Sequence, residues 1–267
     1  MPALSLILFV ALLLAVIMAG AWAVAVRTGR SGWIDAIWSF AVGIGGVLAA
    51  LWPLDADPIS ARQWLVAGLA AAWSIRLGSH IVSRTLGGGD DPRYAALKKE
   101  WGDGHRARLF GFLQIQAAVA LLLAVTIMVA ARNPAPGLGL QDWLGVAILL
   151  AAVAGEAVAD RQLAAFRADR SNKGKVCDVG LWGLSRHPNY FFEWLGWVSY
   201  AVIAIDLSGA WPWGWAALAG PAFMYWLLVH VSGIPPLEKH MEASRGEAFR
   251  AYQRRVNAFW PGPARRS

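Results

Sequence analysis

Seven apolar stretches of about 20 residues set the strongest limit on how this chain can fold. They cover residues 4–26, 33–53, 62–83, 109–131, 140–160, 190–209 and 211–232. A helix of about 20 apolar residues crosses roughly 30 Å of hydrocarbon, and irregular backbone cannot face lipid because its polar groups would lack partners. The pattern therefore predicts an all-α polytopic membrane protein with seven transmembrane helices.

The composition agrees with the membrane class. Of the 267 residues 57% are hydrophobic and 16 are Trp, and the mean hydropathy is +0.45, which is high for a soluble domain. The first stretch, "LSLILFVALLLAVIMAGAWAVAV", is longer than a typical signal-peptide core, and no basic residue precedes it. We therefore interpret it as a retained transmembrane helix.

The basic residues predict an orientation. If the N-terminus lies outside, the inner segments 27–32, 84–108, 161–189 and 233–267 hold 2, 6, 6 and 7 of the 24 Lys and Arg residues, and the outer side holds two, Arg132 and Arg62 at the outer end of span 62–83. This bias follows the positive-inside rule and places the C-terminus in the cytoplasm, with a bacterial inner membrane as the expected location. Contact of the basic loops with anionic lipid headgroups explains most of the net charge of +7, so a nucleic-acid partner is not predicted.

Cysteine and histidine usage argues against a metal site. The single Cys177 excludes an internal disulfide and any cysteine cluster. The five His residues are scattered without the spacing of zinc ligands. We therefore predict no metal.

Ionisable residues inside membrane spans are costly and mark functional sites by default. The spans contain Asp35, Arg76 with His80, Glu156 with Asp160, and Glu193, which lies one turn after Asn189. These groups could simply pair with one another to hold the bundle together. The functional interpretation is favoured because polar residues crowd toward one inner segment and its helix ends.

That crowded segment has the character of a cationic pocket with a few acceptors. It contains Asp160, Arg167, Lys173, Lys175, Arg186, Asn189 and Glu193. Such a set suits an anionic ligand that carries phosphate together with hydroxyl or amide donors, and a nucleotide cofactor fits this description. No GxGxxG motif follows a strand, and the glycine run at 87–89 favours a flexible loop.

Three segments carry a family resemblance. The segment "GEAVADRQLAAFRADRSNKGKVCDVGLWGLSRHPNYFFEWLGW" resembles the C-terminal half of the steroid 5α-reductase superfamily and, within it, the bacterial DUF1295 branch. The ending "LEKHMEASRGEAFRAYQRRVNAFWPGP" and the upstream "RTLGGGDDPRYAALKKEWG" are also similar. The resemblance covers about residues 30–262. It implies one seven-helix membrane domain over residues 1–267, with a substrate-cavity half (1–131) and a half that binds NADPH from the cytoplasm (132–267).

The resemblance also implies cofactor ligands. The residues that match cofactor-contacting positions are Asp160, Arg167, Asn189 and Glu193, and "N-x-x-x-E" is retained in the motif. The wider set of predicted ligands adds Arg76, Lys173, Lys175, Arg186, His187, Tyr190, Tyr252 and Arg255. For Arg186, His187 and Tyr190, a position at the membrane interface is the alternative explanation.

The resemblance gives less guidance at the reacting end. Steroid reductases of this superfamily hold the substrate ketone with a Glu on the second helix and a Tyr on the third. Here Asp35 occupies about the Glu position, while the third span lacks Tyr and offers Trp73 or His80 near that place. Asp35 could polarise the ketone if protonated, a form favoured by apolar burial, or through a neighbour that it orients.

The resulting expectation is NADPH-dependent reduction of a conjugated C=C bond in a lipophilic enone that enters from the bilayer, foremost a 3-oxo-Δ4 steroid. An isoprenoid enone and a fatty enoyl compound stay open. The first alternative is a membrane methyltransferase of the isoprenylcysteine type that uses S-adenosylmethionine, because "SRHPNYFFE" and the tail partly fit that pattern. A transporter or a structural membrane protein is the second.

Overall fold

The fold is all-helical. The computed structural model describes residues 3–54, 58–87 and 92–265, and no strand occurs within these ranges. Its α-helices there are α1 Ala3–Thr28, α2 Gly32–Leu51, α3 Ala61–Leu86, α4 Pro92–Trp101, α5 His105–Ala131, α6 Leu140–Ala168, α7 Pro188–Ala204, α8 Ala219–Trp226, α9 Ile234–Arg245 and α10 Glu247–Arg255. A 3-10 helix, Pro212–Leu218, precedes α8, and a π-helix, Leu227–Val231, follows it. The glycine run at 87–89 lies outside the described residues except for Gly87.

Six helical stretches in the described part of the chain are long and apolar enough to cross a membrane. They are Ala3–Thr28, Gly32–Leu51, Ala61–Leu86, Arg93–Ala131, Leu140–Ala168 and Pro212–Arg245. The all-helical prediction is thus confirmed, and these stretches indicate a membrane protein. The predicted sixth span forms α7, whose 17 residues extend about 26 Å at 1.5 Å per residue. Seven crossings and the orientation stay predictions.

The chain forms two compact units, each built from two stretches. Unit 1 contains Met1–Asp142 and Ile203–Ala219, and unit 2 contains Trp143–Val202 and Gly220–Ser267. Unit 1 therefore holds α1 to α5, and unit 2 holds most of α6 and α7 with the helices of the C-terminal region.

In unit 1, α2 packs against α1, α3 and α5, and glycines allow its close approach to α3. A Cβ atom added at Gly43 would lie 2.1 Å from Oγ and 2.3 Å from Cβ of Ser74. One added at Gly78 would lie 2.5 Å from the Phe40 ring. Small residues serve this purpose in membranes, where helix association depends on packing rather than on escape from water.

A buried arginine fixes the connection between α5 and α6. Arg62 is 5% exposed, and it donates to both carboxylate oxygens of Asp142 at 2.7 and 2.9 Å. It also donates to the carbonyl oxygens of Asn133, Ala135 and Gly137. These bonds use all five N–H donors of the guanidinium group, so Arg62 is fully committed to structure.

In unit 2, the amphipathic helix α10 anchors the basic C-terminal region. Phe249 and Tyr252 lie on its buried face and, with Val256, form a small core against Val176 and Met241. The charged residues of α10 stay on its exposed face. The helix thus attaches to the unit through apolar burial.

Five aromatic rings hold the end of the chain against α7 and α8. Phe191, Trp194 and Tyr225 meet Phe259 and Trp260 of the tail, mostly edge to face, with centroid separations of 5.1 to 6.4 Å. Pairs of this geometry add stability beyond their buried area. The "NAFWP" sequence is therefore a structural part of unit 2.

Replacing Gly43 with Ala is expected to lower the thermal stability of the protein. The new methyl group would collide with the Ser74 side chain near its backbone, and such overpacking costs about 1–3 kcal/mol. Thermal unfolding in detergent, followed by tryptophan fluorescence, should show a Tm lowered by roughly 3–10 °C. The matched control is Gly68→Ala on α3, where an added Cβ meets nothing within 4 Å. Equal Tm values for the two variants would contradict the close contact.

Candidate functional site

Asp35, near the start of α2, is the centre of a polar site in unit 1. Its Oδ1 accepts a hydrogen bond from the Tyr94 hydroxyl at 2.8 Å. Its Oδ2 forms an ion pair with the Arg93 guanidinium. Both partners come from α4, so this short helix supplies a ligand to each carboxylate oxygen.

A glutamine from α5 completes the surroundings of Tyr94. The side-chain amide of Gln116 donates to the Tyr94 hydroxyl oxygen at 3.2 Å, while the backbone carbonyl of Gln116 accepts from the Trp38 indole at 3.0 Å. The Tyr94 side chain is 7% exposed, and its ring packs edge to face on Phe112 at 6.3 Å. Groups from α2, α4 and α5 therefore fix the hydroxyl in place.

Sequence reasoning identified Asp35 but missed its two partners, Arg93 and Tyr94, and Gln116, which donates to Tyr94. These residues lie on α4 and α5, whereas the family resemblance calls for a tyrosine in the third span. The available signal was "PRYAALKKEW", a polar helix with one Tyr directly before an apolar span. A tyrosine that is buried despite such polar neighbours must be held by other elements.

The other residues predicted for the reacting end lie on α3. Trp73 is 3% exposed, Arg76 is half-buried and His80 is exposed. Their spacing places Arg76 and His80 one turn apart on α3. The contacts of Asp35 described above are made by other residues, so the roles of Trp73, Arg76 and His80 stay predictions.

In unit 2, Arg186 is bound by a carboxylate and two carbonyl groups. It donates to Glu238 Oε1 at 2.7 Å and Oε2 at 3.1 Å, and its third nitrogen donates to the carbonyl oxygens of Gln253 and Val256. The Arg186 and Glu238 side chains are only 11% and 14% exposed. This arrangement ties the start of α7 to α9 and to the end of α10.

His187 shares the same carboxylate. Its Nε2 lies 3.0 Å from Glu238 Oε1, and its ring stacks on Tyr190 with a centroid separation of 5.6 Å. Burial lowers the pKa of His187, although the hydrogen bond and the charge of Glu238 act in the opposite direction. The lowered pKa favours the neutral imidazole.

Two further predicted ligands also hold the C-terminal region. The Tyr252 hydroxyl donates to the Trp182 carbonyl oxygen, and burial raises the pKa of Tyr252, which keeps the hydroxyl protonated as a donor. The half-exposed Arg255 pairs with Asp178 at 3.0 Å. These contacts give both residues a structural role beside the predicted one.

The remaining predicted ligands lie on α6, on α7 and in the segment between them, and their role stays a prediction. Glu193 on α7 is 8% exposed and accepts from the Trp197 indole at 3.0 Å. Asn189 lies one turn earlier and is half-buried, as is Asp160 on α6. Three exposed cations, Arg167, Lys173 and Lys175, follow at the end of α6 and in the next loop. Among the described residues, no group of three His, Cys, Asp or Glu side chains could hold a metal ion.

Replacing Glu238 with Gln is expected to destabilise unit 2. The change leaves the largely buried Arg186 guanidinium without its counter-charge, and removing one partner of such a pair costs about 2–4 kcal/mol. Limited proteolysis should then cleave the tail after residue 256 faster, and Tm should fall. Glu247→Gln is the matched control, because Glu247 is 65% exposed and pairs with Arg250 and Arg254 at the surface. Unchanged proteolysis of the Glu238 variant would show that this network does not hold the tail.

Comparisons with known proteins identify one family, through a single family model. The model of the family described as "Protein of unknown function (DUF1295)" matches residues 21–256. An uncharacterised protein of Schizosaccharomyces pombe is 24% identical over 270 positions, covering 90% of this chain and 75% of that protein. No solved structure matches the chain. Because the family model covers most of its length, the chain belongs to the DUF1295 family.

Proposed function

We propose that the chain is a membrane oxidoreductase that reduces the conjugated C=C bond of a lipophilic enone with NADPH, with a 3-oxo-Δ4 steroid as the first substrate to test. The observation that carries the proposal is the contact between Asp35 and Tyr94 in unit 1. A carboxyl group beside a phenol is the pair that the steroid 5α-reductase resemblance calls for, although Tyr94 lies on α4 rather than in the third span.

The Asp35–Tyr94 pair suits the negative charge that would develop on the carbonyl oxygen of the enone. The hydride that adds to the β-carbon of the enone would come from NADPH. As the C–H bond forms, the electrons of the double bond move toward the carbonyl oxygen and give an enolate. A hydroxyl donor fixed beside that oxygen stabilises the transition state more than the ground state. The α-carbon then takes a proton from water, so one hydride and one proton are consumed.

The residues of unit 2 fit a phosphorylated dinucleotide. Exposed Arg167, Lys173 and Lys175 offer charge for phosphate groups. Asn189 can donate to and accept from an amide, and the Glu193 carboxylate can accept from one. Arg186 and His187 support this set indirectly, because they fix the start of α7 from which Asn189 and Glu193 project.

We also propose that α7 completes seven crossings, with the N-terminus outside and the C-terminus in the cytoplasm of a bacterial inner membrane. The positive-inside bias supports this orientation. Local thinning of the bilayer accommodates a helix of 17 residues. The cations of unit 2 would then face the compartment that contains the nucleotide.

Removing the Tyr94 hydroxyl tests the reaction. In Tyr94→Phe, kcat for an enone should fall about 10²- to 10³-fold, the loss typical of one oxyanion donor, while the Kd for NADPH should not change. The assay follows NADPH oxidation and the saturated product with 3-oxo-Δ4 steroids. Tyr225→Phe is the control, because Tyr225 lies in the aromatic cluster of unit 2. A purified wild-type protein that reduces no enone would overturn the proposal.

The cofactor is tested by thermal shift in detergent. NADPH should raise the Tm of the wild-type protein, because a ligand that binds the folded state stabilises it. The double variant Lys173→Gln/Lys175→Gln should bind NADPH about tenfold more weakly, a loss of about 1.4 kcal/mol. Lys98→Gln/Lys99→Gln on α4 removes the same charge as a control. Stabilisation by S-adenosylmethionine and not by NADPH would instead favour the methyltransferase.

A further inference from the structure

Arg93 lies beside both members of the Asp35–Tyr94 pair in unit 1. The two oxygens of Asp35 have different partners, with the Tyr94 hydroxyl on Oδ1 and the Arg93 guanidinium on Oδ2. The pair is partly shielded, since the Arg93 and Asp35 side chains are 32% and 20% exposed. The Arg93 guanidinium also lies 5.8 Å from the centre of the Tyr94 ring, so one cation contacts both members of the pair.

An arginine cannot lose its proton in a protein, and it attracts a carboxylate far more than a neutral carboxyl group. A carboxylate accepts hydrogen bonds and has none to give. When Asp35 is a carboxylate, the hydrogen in its hydrogen bond with Tyr94 is covalently bound to the Tyr94 oxygen. Gln116 donates to the Tyr94 oxygen, so this oxygen has one hydrogen to give, which Asp35 accepts in this structure and which a substrate oxygen would have to take over from Oδ1.

We infer that Arg93 is a positioning residue whose charge holds Asp35 as a carboxylate, so that the Tyr94 hydroxyl, and not the carboxyl group, is the donor to the substrate oxygen. The inference rests on the proposed function and deepens it. It selects the second of the two sequence-based hypotheses, in which Asp35 acts through a neighbour that it orients.

The charge of Arg93 also has a consequence during the reaction. An enolate oxygen that forms beside Tyr94 would meet the Asp35 carboxylate, and two like charges at close range repel one another. The guanidinium offsets the carboxylate, so the site accepts the negative charge of the enolate. With its charge offset in this way, the Asp35 carboxylate does not raise the barrier.

A double-mutant cycle tests this assignment. Arg93→Met should lower kcat about tenfold or more with little change in the KM for NADPH, and Arg93→Lys should recover part of the loss because it keeps the charge. Adding Asp35→Asn to Arg93→Met should restore most of the activity, because the amide oxygen still accepts from Tyr94 and carries no charge. If Asp35 is instead the acid, Arg93→Met keeps or raises kcat and the added Asp35→Asn lowers it. This pattern of kcat changes would overturn the inference.

A second measurement is independent of turnover. The infrared difference spectrum of the wild-type protein minus Asp35→Asn should contain the stretches of one carboxylate and no band from a protonated carboxyl group. A protonated carboxyl band in that spectrum would refute the inference even if the enone reductase activity exists. Conversely, a carboxylate signal from a protein that reduces no enone would leave the charge state of Asp35 supported and refute the proposed function.

Discussion

The structure of unit 1 depends on the close packing of α2 against its neighbours. Gly43 allows contact with α3, and a Cβ atom at Gly46 would lie 2.5 Å from the Ile127 side chain of α5. In lipid, apolar side chains gain little by leaving their solvent, so such contacts must come from shape and dispersion. The same helix carries Asp35. The packing that holds α2 in place therefore also fixes the carboxylate relative to α5, whose Gln116 contacts Tyr94.

Two buried or half-buried Arg–Asp pairs of unit 1 illustrate different uses of this type of ion pair. Arg62 has all its donors satisfied by Asp142 and by three carbonyl groups within one connection, and its burial excludes water. Arg93 pairs with Asp35 in a more exposed setting. A fully satisfied buried network gives rigidity, whereas a partly solvated pair beside a hydroxyl can respond to a developing charge.

The sequence was sufficient for features that depend on local pattern. Hydropathy predicted the helices, and a charge within an apolar span identified Asp35, because desolvation makes such a residue unusual at any position in the bundle. Tyr94 was missed because its contact with Asp35 joins residues 59 positions apart and α4 is polar in sequence. Glu238 was missed for a similar reason, since 52 positions separate it from Arg186. Composition cannot indicate which distant carboxylate meets which arginine.

The polar residues of "SRHPNYFFE" divide into two groups by the contacts that they make. Arg186 and His187 share Glu238 and hold the C-terminal region, while Asn189 and Glu193 lie one turn apart on α7. Weaker NADPH binding in an Arg186 variant would therefore have two causes, a lost charge and a displaced α7. A Glu193 variant changes one hydrogen-bond acceptor and leaves the tail contacts in place. Cofactor affinity must accordingly be compared with the stability of each variant. Substitution of a direct ligand would lower the affinity without making the tail more sensitive to proteolysis.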